Sequence, residues 1–415
     1  MQAVPGRRGM VGATMPPPAT ASAPTRRETW ALQAGTVVAY ADMYVTQPIL
    51  PVLSREFGVG PARAGMTVSA VVLAIAGSSA FYGPLADALG RRRVIAAALG
   101  LLALATAACA LAPSLPALVA LRALQGLFVP GMTAVSVAYA GDRWGAVELG
   151  SVVGGLIGAS VVGGLLGRVG AGAITAHAGW RTAFVVFAAL TALAAVGVGR
   201  ELSAHRGPAV AGLGAAWRGM AEHLRQRRLL GAYLVGATMF FGWMGLFTYL
   251  PYLLSAPPFG LSTGLVSSVF LVYAVGVLVS PIAGRLSRRV APTRLVAIGL
   301  SVEGIGLLAT LHASLPTIVL GLLLVVAGTF TAQAVVPAFV NQQARRAKGG
   351  ASALYLTFYY LGGTLGSLLP GLAWERWGWP GVLASCTGAV AVGIAANALL
   401  CAGPDSRRVT GAADG

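Results

Sequence analysis

The chain has 415 residues, 56% of them hydrophobic and only 10% charged. Soluble domains carry about 25% charged residues, so this composition excludes an ordinary water-soluble domain and indicates a membrane protein. The net charge of +17 does not signify nucleic acid, because the basic residues gather at the ends of apolar runs, where they act as orientation signals in lipid. An enzyme is not expected, since His177, His205, His223 and His312 cluster nowhere and no nucleophile motif appears. Cys109, Cys386 and Cys401 lie in apolar runs without metal spacing, so neither a disulfide framework nor a metal or other cofactor is expected.

Residues 1–28, rich in Pro, Ala, Thr and Arg, read as a flexible tail. Twelve apolar spans then follow, at 30–53, 64–84, 94–112, 116–140, 150–174, 180–198, 229–254, 262–283, 293–311, 316–339, 350–372 and 379–402. Each is long enough at 1.5 Å per residue to cross a hydrocarbon core of about 30 Å, and lipid demands that it be helical. Most of the 29 Lys and Arg fall in alternate loops on one side, which places both termini of a multi-pass membrane protein in the cytoplasm. The expected organisation is a six-helix bundle over 29–199, a basic cytoplasmic linker over 200–228, a second bundle over 229–402 and a tail over 403–415.

The two bundles repeat one another. ILPVL (Ile49 to Leu53) answers YLPYL (Tyr249 to Leu253), and SLP at Ser114 answers SLP at Ser314, both at an offset of about 200. GGLLGR (Gly163 to Arg168) likewise answers GGTLGS (Gly362 to Ser367). Two pseudo-symmetric six-helix halves of an all-α membrane protein account for such a repeat.

Four ionisable side chains fall deep within the spans: Asp42, Arg122, Arg168 and Glu303. Each costs about 2.5–3.5 kcal/mol to insert at a helix centre, so a function is expected of it by default. Asp42 lies roughly 18 Å from the basic side and Arg122 roughly 21 Å, a shared depth at helical rise. That makes Asp42 the candidate proton carrier and Arg122 the group that tunes it, with a static ion pair between the two helices as the competing reading. Arg168, in the outer third of its span, could instead extend toward the surface, and Glu303 could pair locally.

The second half lacks these charges at the offset positions, where Gly242 stands for Asp42 and Leu322 for Arg122, so ion coupling is assigned to the first half. It offers aromatic residues instead. Phe240, Trp243, Phe247 and Tyr249 in the seventh span and Tyr355 and Tyr359 in the eleventh are candidate substrate contacts, with Tyr44, Gln47 and Gln125 as polar handles. An apolar cleft with a few polar groups suits a small amphipathic organic compound.

GPLADALGRRRV, Gly83 to Val94, between the second and third spans, resembles the loop signature of the major facilitator superfamily of secondary transporters. Gly83, Leu85, Ala86, Asp87, Gly90, Arg91 and Arg92 match it; Ala88 departs where a basic residue is usual. RALQG at Arg122 and DMYVTQP at Asp42 resemble further motifs of that family, and the set of motifs is most similar to bacterial YnfM-type inner-membrane transport proteins. The resemblance implies a fold in which helices 1 and 4 face a central cavity, so that Asp42 and Arg122 would meet across it. It also implies a cytoplasmic gate in which Gly83 packs closely on helix 11 while Asp87, with Gly90, Arg91 and Arg92, latches the start of that helix. The family's antiporter motif GPxxGG is matched only by Gly163 and Gly164.

The expected activity is therefore a proton-coupled antiporter exporting small organic compounds, acting as a monomer in the bilayer with no nucleic-acid partner. A symporter or uniporter of a metabolite or sugar is the alternative on the same fold. A non-transporting receptor or scaffold is the alternative of a different class, and it gives an intramembrane acid no purpose.

Overall fold

The computed structural model describes residues 24–203, 222–344 and 348–402. Most of the predicted N-terminal tail, the middle of the linker and the C-terminal tail lie outside the described residues. Among the described residues there is no strand, and the helices follow the predicted spans in order.

Helix α1 (Arg26–Tyr44) tightens into a 3-10 turn over Gln47–Ile49 and resumes as Leu50–Phe57. The cause is Pro48, which has no N–H for the carbonyl one turn back and whose ring crowds that carbonyl. The remainder of the first half is α2 (Pro61–Leu89), α3 (Arg91–Ala110), α4 (Leu115–Arg143), α5 (Ala146–Ala178) and α6 (Trp180–Glu201). The second half comprises α7 (Arg227–Ser255), α8 (Thr263–Leu286, with a 3-10 stretch at Val269–Tyr273), α9 (Pro292–Ala309) and α10 (Leu315–Gln343). A final helical stretch, Lys348–Ala396, is interrupted at Gly378, where φ is 59° and ψ −145°. At 1.5 Å per residue that stretch is far longer than a bilayer is thick. The glycine at positive φ therefore divides it into two spans, α11 over 348–377 and α12 from 379 onward.

The glycine repeat explains how each half is built. A Cβ on Gly163 or Gly167 would fall 2.3 and 2.4 Å from the carbonyls of Val37 and Ala41, so α5 lies directly on the backbone of α1. Gly362 and Gly366 put α11 in the same relation to Ala237 and Phe241 of α7, where the distances would be 2.0 and 2.3 Å. Without a hydrophobic effect between helices in lipid, such close approach of small residues supplies much of the packing. The repeated GG-x-L-G pattern is thus a repeated helix contact.

The halves meet at one face and part at the other. On the face away from the basic loops, Gly65 of α2 abuts the Ser367 carbonyl of α11, and Gly172 of α5 abuts Ser267 of α8. Ser69 and Ser367 share a hydrogen bond of 2.8 Å, Ser54 and Tyr252 one of 2.6 Å, and Gln47 donates to Thr248 at 3.1 Å. Toward the basic face a Cβ on Gly77, Gly83, Gly154 or Gly158 would meet nothing within 4 Å among the described residues. The first half is nonetheless knotted to itself there. Glu28 caps α1 with Thr25 and lies 3.6 Å from Arg143 of α4, and Ser203 beyond α6 donates to Glu28 at 2.8 Å.

These contacts give a paired expectation. Gly167→Val forces a side chain into the Ala41 backbone, which cannot retreat, and should cost at least the roughly 1–3 kcal/mol of an overpacked core. Gly158→Ala enters open space and should leave thermal unfolding of the detergent-purified protein unchanged or raised.

Candidate functional site: a central cavity between the halves

A cavity of about 210 Å³ lies between the two halves. Tyr40 and Tyr44 of α1 and Ser160, Gly164 and Arg168 of α5 line it from the first half. Phe240 and Trp243 of α7, Tyr273 of α8, Phe330 and Gln333 of α10, and Tyr355, Tyr359 and Tyr360 of α11 line it from the second. The rings pack on one another: Phe240 stacks on Tyr359 at 3.9 Å between centroids, and Trp243 meets Tyr273 edge-on at 4.7 Å. Of the predicted substrate contacts, Tyr44, Phe240, Trp243, Tyr355 and Tyr359 line the cavity.

Four predicted contacts, Phe247, Tyr249, Gln125 and Gln47, do not line it. Phe247 is fully buried one turn beyond Trp243, in a cluster with Phe270 and Tyr273. Tyr249 donates to the Ser367 carbonyl at 2.7 Å and belongs to the sealed interface. Gln125 is buried inside the first half, donating to Thr106 at 2.7 Å and accepting from Arg122. Residue type pointed to these positions; the face of the helix on which each sits excludes them. Sequence reasoning missed Tyr40, Tyr273, Phe330 and Gln333, of which Tyr40 carried a signal, lying one turn from Tyr44.

Arg168 does not extend to the surface. Helix α5 continues to Ala178, beyond the predicted end at 174, and turns the side chain inward, where it is 1% exposed. Its Nε donates to Gln47 Oε1 at 2.6 Å and its Nη1 to the Gly164 carbonyl at 2.9 Å. The guanidinium carbon lies 3.6 Å from the centre of the Tyr44 ring and 4.3 Å from that of Tyr273. Nη2 has no hydrogen-bond partner among the described residues. Gln47, the polar handle predicted for substrate, is buried and joins this arginine to Thr248 across the seal.

Asp42 and Arg122 meet, but not across the cavity and not as an ion pair. Both are fully buried in the first half. Arg122 donates to the main-chain carbonyls of Asp42 (2.7 Å), Met43 (2.6 Å) and Thr67 (3.1 Å), so it binds α1 and α2 to α4 through backbone. The Asp42 carboxyl turns the other way. Its Oδ2 accepts from Thr191 of α6 at 2.9 Å, and its Oδ1 has no partner. The physical reason is the end of the regular part of α1, whose last carbonyls need donors that a guanidinium with five N–H groups can supply.

Glu303 is fully buried in α9, with Thr329 of α10 the polar side chain beside its carboxyl and no ion pair to it among the described residues. A Cβ on Gly242 would lie 2.9 Å from its Oε1. The carboxyl that the repeat lacks at Gly242 is thus supplied from another helix, and the second half also holds an acid at the place corresponding to Asp42.

At the basic face Asp87 lies 3.4 Å from Arg91, which is also paired with Asp142 of α4, while Arg92 donates to the Gly199 carbonyl of α6. Asp142 was not anticipated. Gly90, at φ 90°, makes the turn between α2 and α3 and donates to the Ala86 carbonyl, a conformation that glycine adopts without strain. The expected close packing at Gly83 is absent here, because the halves stand apart at this face.

Replacing Arg122 by Gln removes the donors to three buried carbonyls, each costing about 1–3 kcal/mol when orphaned. The variant should therefore lose folded, monodisperse protein in detergent. Asp42→Asn, which leaves those bonds in place, should unfold within a few degrees of the parent.

Comparison with known proteins agrees with this architecture. The Escherichia coli inner membrane transport protein YnfM is 33% identical over 367 residues, spanning 86% of each chain. The uncharacterised MFS-type transporter YybF of Bacillus subtilis is 28% identical over 364 residues, 87% of this chain and 90% of that one. A crystal structure of a D-xylose–proton symporter superposes with a TM-score of 0.74 at 17% identity, covering 92% of this chain and 98% of the other. With the Major Facilitator Superfamily profile matching residues 33–346 and 258–414, the chain belongs to that superfamily of membrane transporters.

Proposed function

We propose that the chain is a secondary active transporter that exports a small organic compound in exchange for protons, acting as a monomer in the inner membrane. The observation that carries this reading is the central cavity itself, bounded by both halves, sealed at one face by α1–α7, α2–α11 and α5–α8 contacts and open toward the other. With the basic loops and both termini in the cytoplasm, this is the inward-open state of an alternating-access cycle. YnfM, described as an inner membrane transport protein, supports that location.

Asp42 is the proposed proton site. It lies at midplane depth, no cation among the described residues is bonded to its carboxyl, and the Thr191 hydroxyl donates to it at 2.9 Å. Protonation and release there change the contact between α1 and α6. Helix α1 also carries Tyr44 and Gln47 at the cavity and the seal, so a shift in α1 reaches both. A symporter remains the alternative direction, and a D-xylose–proton symporter shares the fold. The two predict opposite responses to an imposed pH gradient. A growth screen of expressing cells, with and without an uncoupler, supplies the solute. In proteoliposomes Asp42→Asn should then abolish pH-driven flux while sparing solute exchange, and flux still following the gradient would rule out Asp42 as the carrier.

In the opposite state we propose that the basic face closes with Gly83 against the start of α11 and Asp87 facing the N-terminal amides of that helix, where a carboxylate gains about 0.3–1 kcal/mol. Asp87→Ala should raise cysteine labelling of cavity positions from the cytoplasmic side. Unchanged labelling would retire the latch.

A further inference from the structure

We propose that the solute held in the central cavity is a small organic anion, a carboxylate on an apolar body, with its charged group on Arg168; the proposal rests on the transporter reading and names its substrate class. Arg168 is the only charged side chain among the described residues lining the cavity. None of the ion pairs among the described residues includes it. A buried cation without a counter-charge is costly, and tyrosine rings with two neutral acceptors offset only part of that cost. A ligand carboxylate supplies the missing charge.

The hydrogen-bonding inventory points the same way. A guanidinium has five N–H groups; one on Nε and one on Nη1 are used, which leaves three, including both on the unpartnered Nη2. The hydroxyl of Tyr273, a cavity residue, also has no hydrogen-bond partner among the described residues. Arg168 and Tyr273, whose ring lies 4.3 Å from the guanidinium carbon, thus offer free donors side by side, and no carboxylate is among the described residues lining the cavity to receive them or to receive a cationic ligand. Charge-assisted, bidentate contact with a carboxylate is the chemistry for which arginine geometry is suited. Phe240, Trp243 and Phe330 form an aromatic wall for the rest of the molecule. The cavity, at about 210 Å³, lies below the range of about 300–1,000 Å³ common for drug-sized ligands, which favours a body of one ring or one branched chain.

The experiment uses the purified full chain in detergent and a panel of benzoate, phenylacetate and 3-methylbutanoate, each beside its amide and its amine. Thermal stabilisation and tryptophan fluorescence report binding. At least one carboxylate should bind saturably while its amide and amine bind tenfold or more weakly. Arg168→Gln should weaken that carboxylate at least tenfold, and Arg168→Lys, which keeps the charge but loses the fork, should fall between. Tyr273→Phe, which keeps the ring, should weaken it severalfold without lowering the unliganded melting temperature, so a role in binding is separable from misfolding of the arginine variants. No binding by any carboxylate of the panel, binding of an amide or amine as tight as its acid, or full affinity in Arg168→Gln overturns the proposal. Flux distinguishes its failure from that of the transporter reading. A carboxylate that binds but is never moved by proteoliposomes upholds the site and sinks the transporter; an amine moved by the pH gradient does the reverse.

Discussion

Hydrocarbon offers a polypeptide no hydrogen-bond partners, so every main-chain carbonyl in a span must be satisfied by protein. Helix α1 meets that constraint at Pro48, where the regular ladder gives way to a 3-10 turn. Arg122 answers it from α4, taking the carbonyls of Asp42 and Met43 together with that of Thr67. The rest of the site follows from this staple. With α1 fixed just before its change of pitch, Gln47 reaches Arg168 on one side and Thr248 on the other, so the cavity arginine stands two hydrogen bonds from the seal between the halves. The N–H groups of Arg122 are thus spent mainly on backbone, and the neighbouring carboxyl of Asp42 accepts from the Thr191 hydroxyl instead of from this guanidinium.

The repeat supplies one scaffold for two tasks. Gly163 and Gly167 fit α5 to α1 as Gly362 and Gly366 fit α11 to α7, and the residue that follows in each copy has diverged. Arg168 faces the cavity. Ser367 instead bonds Ser69 at 2.8 Å and offers its carbonyl to Tyr249, closing α2 on α11. The same backbone register thus carries a charge where the halves leave space and a small hydroxyl where they touch. Asp42 and Glu303 show the converse, the same kind of group reaching corresponding places from non-equivalent helices.

The spans and the repeat were legible because hydropathy and the offset of 200 depend on local composition alone. Even the division near 379 was visible, since Gly378 and Trp379 repeat the Gly179–Trp180 junction, and Gly179 is likewise at positive φ. The cavity was legible only in part. Tyr44, Phe240, Trp243, Tyr355 and Tyr359 were found by residue type, yet the same criterion selected Phe247, Tyr249 and Gln125, which face the interior or the seal. Sequence gives depth along a helix but not azimuth where nearly every residue is apolar, because a helix hydrophobic all round has no stripe to mark its inner face. Arg168 shows the consequence: its depth suggested an escape to the surface, and its azimuth, set by the α1–α5 glycine contact, turned it to the centre.

Alternating access also requires the two ends of the molecule to be balanced within reach of what a solute can supply. The sealed face is held across the halves by neutral hydrogen bonds, Gln47 to Thr248, Ser54 to Tyr252 and Ser69 to Ser367. Each such bond contributes about 0.5–1.5 kcal/mol net, against about 1.5–3 kcal/mol for one to a charged group. At the parted face the charges of Asp87, Arg91 and Asp142 are satisfied within the first half, so separation there leaves no ion pair broken. An anion on Arg168 would compete for the guanidinium that Gln47 also holds, and the strength of one charge-assisted contact is comparable to that of the neutral bonds of the seal. An anion moving outward as a proton moves inward transfers two charges in the favourable direction, each worth about 2.3 kcal/mol per 100 mV of membrane potential. In the proposed exchange, the contact of an anion with Arg168 would thus be of the same order as the neutral bonds of the seal beside it, and the membrane potential would favour the outward direction.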